Sequence, residues 1–367
     1  MVIGFDAKRL FNNFTGLGNY SRTLLANLNR YHPGNSLLLY TPKIRSHPAL
    51  VKFTDPPYTI RSPKIPLPLW RSFFVKEMVA ADKLQIYHGL SHELPFDLTN
   101  KVAQVVTVHD LIFKRYPAYY NPVDRRIYEV KLKHSLERAD AVVAISKQTR
   151  ADLLHFYPGI PENKIRLVYQ SCDPLYYEAE APPEKPDAIK PFELPSEYFL
   201  YVGSLSARKN LPNLIQALSI LPPDLKLPLV IVGGGKELGA LQALARKLKV
   251  LVFHVKVRDN EALKYVYSKA AAVAYPSVYE GFGLPVVEAM LCKVPVVTSN
   301  ISSLPEAGGP SRLVDPNNVE SLKSGLEKSL DETERIQRVE EGYAYAMTHF
   351  HPKKVTADMM NIYREFS

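Results

Sequence analysis

The stretch AAVAYPSVYEGFGLPVVEAM, residues 271–290, changes character twice within twenty residues. Its first part, AAVAYPS, is a short run of small and β-branched apolar residues closed by Pro276-Ser277, which predicts a buried strand. Its last part opens on Pro285, a residue suited to a first helical turn, and predicts a helix. Between them lie Tyr279, Glu280, Gly281, Phe282 and Gly283. Glu280 falls in the loop, and Glu288 about one turn into the helix. Gly281 and Gly283 leave backbone N–H groups able to point at a ligand, and residues 282–285 form the anion-accepting end of the helix. A plainer reading stands beside this one: a dipole-favourable acid in a first turn and an exposed loop charge.

The same strand-to-helix theme recurs outward from this stretch. Apolar runs sit at 37–41, 85–89, 102–110, 141–146 and 164–169, and again at 198–204, 227–235, 250–257, 271–277 and 294–299. Short buried strands alternating with helical segments predict α/β architecture with parallel sheets. The runs form two series, so the expected fold is two Rossmann-like domains. Between them, residues 173–196 are rich in proline and charge and read as a linker. The expected divisions are 1–172, the linker 173–196, 197–345, and a closing helix over 346–367. Ligands of open parallel sheets bind at the carboxyl ends of strands, which directs attention to the loops just after them.

Composition narrows the functional classes. At 46% hydrophobic and 23% charged, the chain can bury a large core. No apolar run approaches the ~18 residues of a membrane span, and MVIGFDAKRL lacks the apolar stretch of a signal peptide. Two cysteines, Cys172 and Cys292, build no disulfide framework; a reducing, cytoplasmic setting is expected. Residues 1–172 hold 24 basic against 13 acidic residues, so the first half carries the whole net charge of +9. That excess fits an anionic partner (a membrane face, a phosphate-bearing substrate or nucleic acid) or a scattered solubilising charge.

Four further loops hold candidate residues. In FTGLGNYSRTLLANL (14–28), Gly16 and Gly18 precede an amphipathic helix whose start attracts phosphate. VVTVHDLIF (105–113) ends a strand with His109-Asp110, a polar pair expected to face a cleft; His109 can bond a substrate hydroxyl and Asp110 can orient it or meet an acceptor. In YVGSLSARKNLPNLIQAL (201–218), a strand ends at Gly203, and Arg208-Lys209 stand before a helix. Cations there oppose the helix dipole unless an anion is also present, which marks a phosphate site. VGGGKEL (232–238) lacks the spacing of a phosphate loop and reads as an ordinary turn. The chain contains no Asp-x-Asp and no cluster with metal-ligand spacing.

Taken in order, these motifs resemble retaining glycosyltransferases of family 4, which have the GT-B fold. The likeness runs nearly end to end. Glu280 to Glu288 is similar to the family's E-x7-E motif, supported by Gly16-Leu17-Gly18, His109-Asp110, SARKN (206–210) and PEAGGPSRLVDP (305–316). FHPKKVTADMMNIYREF resembles the closing helix that returns to the first domain. The resemblance implies catalytic roles for Glu280, His109, Arg208 and Lys209. It implies a donor site of Gly16, Gly18, Gly203, Arg208, Lys209, Val257, Glu280, Gly281, Phe282, Gly283, Leu284 and Glu288, with Asp110 on the acceptor side. Arg208 and Lys209 would hold a diphosphate, Glu280 the sugar hydroxyls, Glu288 the ribose, and His109 would stand near the sugar's C6 hydroxyl. Two departures are visible: no glycine near Val255, which leaves the base open, and Lys293 where glycine is common.

The resemblance leans towards mannose from GDP-mannose in cell-surface polysaccharide or lipopolysaccharide synthesis, with UDP-glucose or another hexose open, and with a GT-B nucleotide-sugar epimerase or a non-catalytic nucleotide-sugar-binding subunit as the alternatives. It implies no metal and no cofactor beyond the nucleotide diphosphate-sugar donor, a glycan or lipid-linked acceptor, and no nucleic acid. PKIPLPLWRSFFVKEM (63–78) mixes basic and aromatic residues and can rest on an anionic membrane at the inner face, or pack on the core.

Overall fold

The computed structural model describes residues 1–64, 69–178, 184–257 and 259–367. The chain forms two compact units: Met1–Ser171 with Pro352–Ser367, and Cys172–His351.

In the first unit the strands are β1 (Val2–Asp6), β2 (Ser36–Tyr40), β3 (Tyr58–Arg61), β4 (Ile86–Gly89), β5 (Ala103–Val108), β6 (Ala141–Ala144) and β7 (Ile165–Leu167). They form one sheet in the order β3-β2-β1-β4-β5-β6-β7, with every pairing parallel. Its helices are α1 (Lys8–Asn12), α2 (Gly16–Tyr31), α3 (Trp70–Phe73), α4 (Lys76–Ala81), α5 (Ile112–Arg115), α6 (Pro122–Arg138) and α7 (Lys147–Phe156). In the second unit, β8 (Phe199–Val202), β9 (Leu229–Val232), β10 (Val252–Val255), β11 (Ala272–Tyr275), β12 (Val296–Ser299) and β13 (Arg312–Val314) form a parallel sheet ordered β10-β9-β8-β11-β12-β13. Its helices are α8 (Leu175–Glu178), α9 (Leu211–Ser219), α10 (Leu238–Lys247), α11 (Asn260–Ser268), α12 (Leu284–Leu291), α13 (Leu304–Gly308), α14 (Val319–Ser329) and α15 (Glu332–Phe350). The last helix, α16 (Pro352–Arg364), belongs to the first unit.

Both sheets are Rossmann-like. In each, strand order reverses at one place, between β1 and β4 and between β8 and β11. There the loops leaving the two carboxyl ends diverge and open a crevice. The central strands β4, β6, β8, β9, β11 and β12 are buried along their whole length, as expected of strands covered on both faces.

Pro352 cannot continue α15, and α16 lays Val355, Met359, Met360, Ile362 and Tyr363 into the first unit's core. Tyr363 Oη lies 2.6 Å from His88 Nδ1, whose Nε2 lies 2.8 Å from Thr107 Oγ1; that hydroxyl in turn lies 3.1 Å from Tyr20 Oη. Four elements, α16, β4, β5 and α2, thus share one buried hydrogen-bonded chain. Burial, aided by His109 nearby, brings the His88 pKa down to about 3, so the imidazole is neutral and its two nitrogens serve opposite roles.

Three strands go beyond the sequence reading. β1 is central, yet VIGFD is too short and mixed a run to stand out; β3 and β13 are short edge strands whose runs are likewise brief. The stretch 173–196 is not a free linker. Among its described residues Tyr176 packs edge-on against Tyr267 at 6.2 Å, Lys264 Nζ donates to Leu175 O at 2.8 Å, and Ile189 is fully buried. Residues 179–183 of that stretch lie outside the described residues. At the far end α15 runs on to Phe350, so the return to the first unit comes at Pro352 and not at 346. Of residues 63–78, 65–68 lie outside the described residues; Trp70 and Arg71 are buried, whereas Phe73 and Phe74 are exposed. No helix of the described residues is long and apolar enough to cross a membrane.

VGGGKEL is a turn, but a constrained one. Gly233 has φ +129°, and a Cβ there would stand 1.9 Å from Gly203 O. Lys293 occupies the left-handed region with φ +56°, where glycine avoids a cost of about 1–2 kcal/mol. Gly233→Ala, strained in both backbone and space, is expected to cost about 3 kcal/mol or more in urea unfolding of the intact chain.

Candidate donor site

The second unit gathers its candidates at the reversal between β8 and β11. These strands pair through Phe199–Ala272 and Leu200–Val273, so the loops after Val202 and Tyr275 start side by side. Val278 N donates to Arg208 O at 2.8 Å and ties one loop to the other. The first loop ends in a helical turn, Ala207–Lys209, then Asn210 with φ +61°, whose Nδ2 donates to Pro316 O at 2.6 Å. Arg208 and Lys209 are thereby presented just before α9.

The anion demanded by those cations is Glu280. Arg208 Nη1 meets Glu280 Oε2 at 2.7 Å, and Lys209 Nζ bonds Glu280 Oε1. Glu280 and Lys209 are both buried, at 7% and 5% exposure, which removes the reading of Glu280 as an exposed loop charge. Tyr275 completes the group. Its hydroxyl lies 2.6 Å from Lys209 Nζ and 3.3 Å from Glu280 Oε1, and its ring sits under the ammonium at 4.8 Å. Tyr201 stacks on Tyr275 with centroids 5.8 Å apart.

Burial alone would raise the Glu280 pKa, but Lys209 and then Arg208 outweigh it and hold the carboxyl at about 2. The backbone is held as firmly: Glu280 N donates to Ser302 Oγ at 3.0 Å, and Ser303 Oγ lies 2.9 Å from Glu280 O and 2.8 Å from Phe282 O. Phe282 turns its ring inward, edge-on to Phe350 at 5.2 Å, leaving its main chain at the loop. Gly283 caps α12 with φ +119°. Gly281 and Leu284 are partly exposed beside it.

Glu288 is the fifth residue of α12 and so lies beyond its first turn; the reading of an ordinary dipole-favoured acid does not hold. It accepts from Tyr267 Oη at 2.8 Å. Burial pushes its pKa up to about 7, with Tyr267 opposing and Asp173 adding. Gly203 follows β8 with φ +153°, and Val257 follows β10, partly buried.

In the first unit the candidates are differently placed. Gly16 and Gly18 are not before a helix but inside the first turn of α2. Gly18 is required: a Cβ would stand 1.7 Å from Asn13 O, whereas Gly16 has open space. Asn13 Oδ1 accepts from Thr15 N at 2.9 Å and Gly18 N at 3.2 Å, closing the helix start. His109 does not face a cleft with its ring. It is buried, its Nε2 lies 2.9 Å from Leu90 O, its Nδ1 lies 3.4 Å from Gln170 Nε2, and Tyr20 packs edge-on at 4.6 Å. Burial and then His92 drive its pKa to about 3, so it is neutral. Asp110 Oδ1 accepts from Ile112 N at 3.0 Å and lines a cavity of about 170 Å³ together with Arg9, Leu17, His92, Glu93 and Tyr128.

Sequence reading missed Tyr275, Tyr267, Ser302 and Ser303. The only signal was a tyrosine closing a buried strand, whose hydroxyl must find a partner. Among the described residues no three His, Cys, Asp or Glu side chains gather as metal ligands.

The two carboxyls predict opposite pH behaviour. Glu280, with its pKa lowered, stabilises the fold above about pH 4.5, and that contribution is lost as pH falls towards 2. Glu288, with its pKa raised, favours the folded state at low pH and loses that contribution as pH rises through about 7. Urea unfolding at pH 5 and pH 8 should therefore show wild type losing more stability than Glu288→Gln.

Comparison with known proteins identifies the family. Residues 14–174 match the family model Glycosyltransferase Family 4, and residues 184–344 match Glycosyl transferases group 1. The chain is 30% identical to the O-antigen chain mannosyltransferase B of Escherichia coli over 391 aligned positions, spanning 99% of this chain and 100% of that one. It is also 30% identical to the O-antigen chain mannosyltransferase RfbU of Salmonella typhimurium over 227 positions, covering 61% of this chain and 60% of that one. Among solved structures, sucrose-phosphate synthase of Thermosynechococcus elongatus superposes with a TM-score of 0.75 at 21% identity, covering 100% and 98% of the two chains. The chain therefore belongs to the family 4 glycosyltransferases of GT-B fold, enzymes that bind a nucleotide-sugar donor and an acceptor.

Proposed function

We propose that the chain transfers mannose from GDP-mannose, with retention at the anomeric carbon, to a hydroxyl of a growing O-antigen-type glycan of lipopolysaccharide. The observation that carries this reading is the end-to-end likeness to an O-antigen mannosyltransferase at 30% identity. In this proposal Arg208 and Lys209 receive the diphosphate, supported by their convergence before α9. Glu280 orients the sugar hydroxyls and Glu288 takes the ribose. As the glycosidic bond breaks, negative charge grows on the leaving phosphate, and Arg208 and Lys209 stabilise it. The leaving phosphate oxygen accepts the acceptor's proton.

Glu280 is a positioning carboxylate in this scheme and not a nucleophile. Two cations hold it at a pKa of about 2, which lowers its basicity, while its remaining lone pairs still accept from hydroxyls. His109, neutral and engaged at both ring nitrogens, is a packing residue in this scheme and relays no proton. No metal or cofactor enters the reaction, and the enzyme works in the cytoplasm on a glycan or lipid-linked acceptor, without nucleic acid.

Thermal-shift measurement with GDP, GDP-mannose, UDP and UDP-glucose tests the donor. Stabilisation by the guanosine pair alone is expected; stabilisation by the uridine pair alone overturns GDP-mannose. With the native donor, Arg208→Ala should lose on the order of 10²–10³-fold in kcat, and chelation by EDTA should leave the rate unchanged. A wild-type rate in Arg208→Ala, or abolition by EDTA, refutes the corresponding assignment.

A further inference from the structure

Buried tyrosines on and beside β8 and β11 use their hydroxyls in two different ways. Tyr198 Oη donates to Val266 O at 2.8 Å, and Tyr201 Oη donates to Ser204 O at 2.8 Å. A main-chain carbonyl is an ordinary partner for a tyrosine hydroxyl that burial has taken from water. Tyr275 is 2% exposed, yet its hydroxyl serves two side chains. It lies 2.6 Å from Lys209 Nζ and 3.3 Å from Glu280 Oε1.

That hydroxyl is fixed from several directions. β11 pairs with β8 on one side and β12 on the other. Thr298 Oγ1 donates to Tyr275 O at 3.0 Å, and the ring stacks on Tyr201 with planes 13° apart. Burial and then the Glu280 charge push the phenol's pKa well above its ordinary value, so it keeps its proton. A protonated phenol both donates and accepts. An ammonium has no lone pair and an ionised carboxylate no proton, so Tyr275 accepts from Lys209 and donates to Glu280.

The neutrality of this partner decides its use. Glu280 satisfies Lys209 by cancelling its charge, so an arriving phosphate must compete with it for the ammonium. Tyr275 directs the ammonium and leaves the charge intact. It also keeps its place whether the ion pair is closed or open. With the pair open, Lys209 and Glu280 each retain one hydrogen bond in a buried site, where a charged group left bare is strongly penalised. Phenylalanine would fill the same space and stack on Tyr201, but it would supply neither bond.

We infer that Tyr275 is a positioning residue for transfer: its hydroxyl aims Lys209 at the donor diphosphate and steadies Glu280 when the two separate. Tyr275 acts through these side chains and touches no substrate itself. The inference rests on the proposed phosphate role of Arg208 and Lys209, and it holds for either nucleobase.

Titration of the full chain with GDP and guanosine, and with UDP and uridine, tests it, the quantity read being the affinity ratio of diphosphate to nucleoside. Tyr275→Phe should weaken the diphosphate about tenfold or more and leave the nucleoside within about twofold of wild type. Tyr198→Phe removes a buried hydroxyl of purely structural use; it should lower Tm and leave the ratio unchanged. Arg208→Ala reports on the phosphate role itself. If Arg208→Ala lowers the ratio and Tyr275→Phe does not, the inference is overturned and the phosphate role stands. If neither lowers it, both fall. Should Tyr275→Phe not be recovered folded, meta-fluorotyrosine in place of Tyr275 decides. Its fluorine resonance should move on adding the diphosphate and stay with the nucleoside; a resonance indifferent to the diphosphate overturns the inference.

Discussion

The buried ion pair between Lys209 and Glu280 is the constraint on which the second unit's loops depend. Removing both charges from water costs several kcal/mol, and only close mutual contact with further hydrogen bonds compensates. That contact requires the loop after β8 and the loop after β11 to stay in register. The strand pairing, the Val278–Arg208 bond, the two serines and the inward ring of Phe282 each serve this end. Arg208 then reaches the same carboxylate from the more exposed side, so two positive groups and one negative group stand together. On the proposed assignment, a donor phosphate would exchange partners with groups already held in place, with little further ordering of side chains to offset.

The first unit solves a similar problem without charge. Tyr363, His88, Thr107 and Tyr20 are deeply buried polar groups that satisfy one another in a line. Neutral His88 suits this, since it offers one donor and one acceptor nitrogen. His109 follows the same rule a short way off, which is why it is packed rather than presented. In this unit the polar residues at the carboxyl ends of β4 and β5 fasten neighbouring elements.

How much of this the sequence revealed depended on the kind of signal. Strands with long β-branched runs, such as β5, β9 and β12, were legible because burial on both faces enforces that composition. β1 was not, because its five residues, VIGFD, include a glycine and an aspartate and form no long β-branched run. The region 173–196 misled because proline and charge dominate its composition, while its anchoring rests on single residues, Tyr176 and Ile189. Arg208 and Lys209 stood out through a local conflict, cations before a helix, and the conflict was real. That its resolution is a glutamate more than seventy residues away was invisible, since only the β8–β11 pairing brings them together. Tyr275 was hidden for the same reason: inside a strand it looked like core.

The return of α16 to the first unit also sets an order on synthesis. Residues 1–171 leave the ribosome first, yet His88 lacks its tyrosine until Tyr363 follows, after the whole second unit has been made. At 5–20 residues per second, the roughly 180 intervening residues take about ten to forty seconds. The second unit is continuous in the chain and can complete its core during that time. The first unit meanwhile waits with a buried histidine one partner short and an apolar groove beside α2 uncovered. The first unit is thus begun before the second and finished after it, and the nascent chain spends that interval with its more basic half incompletely closed.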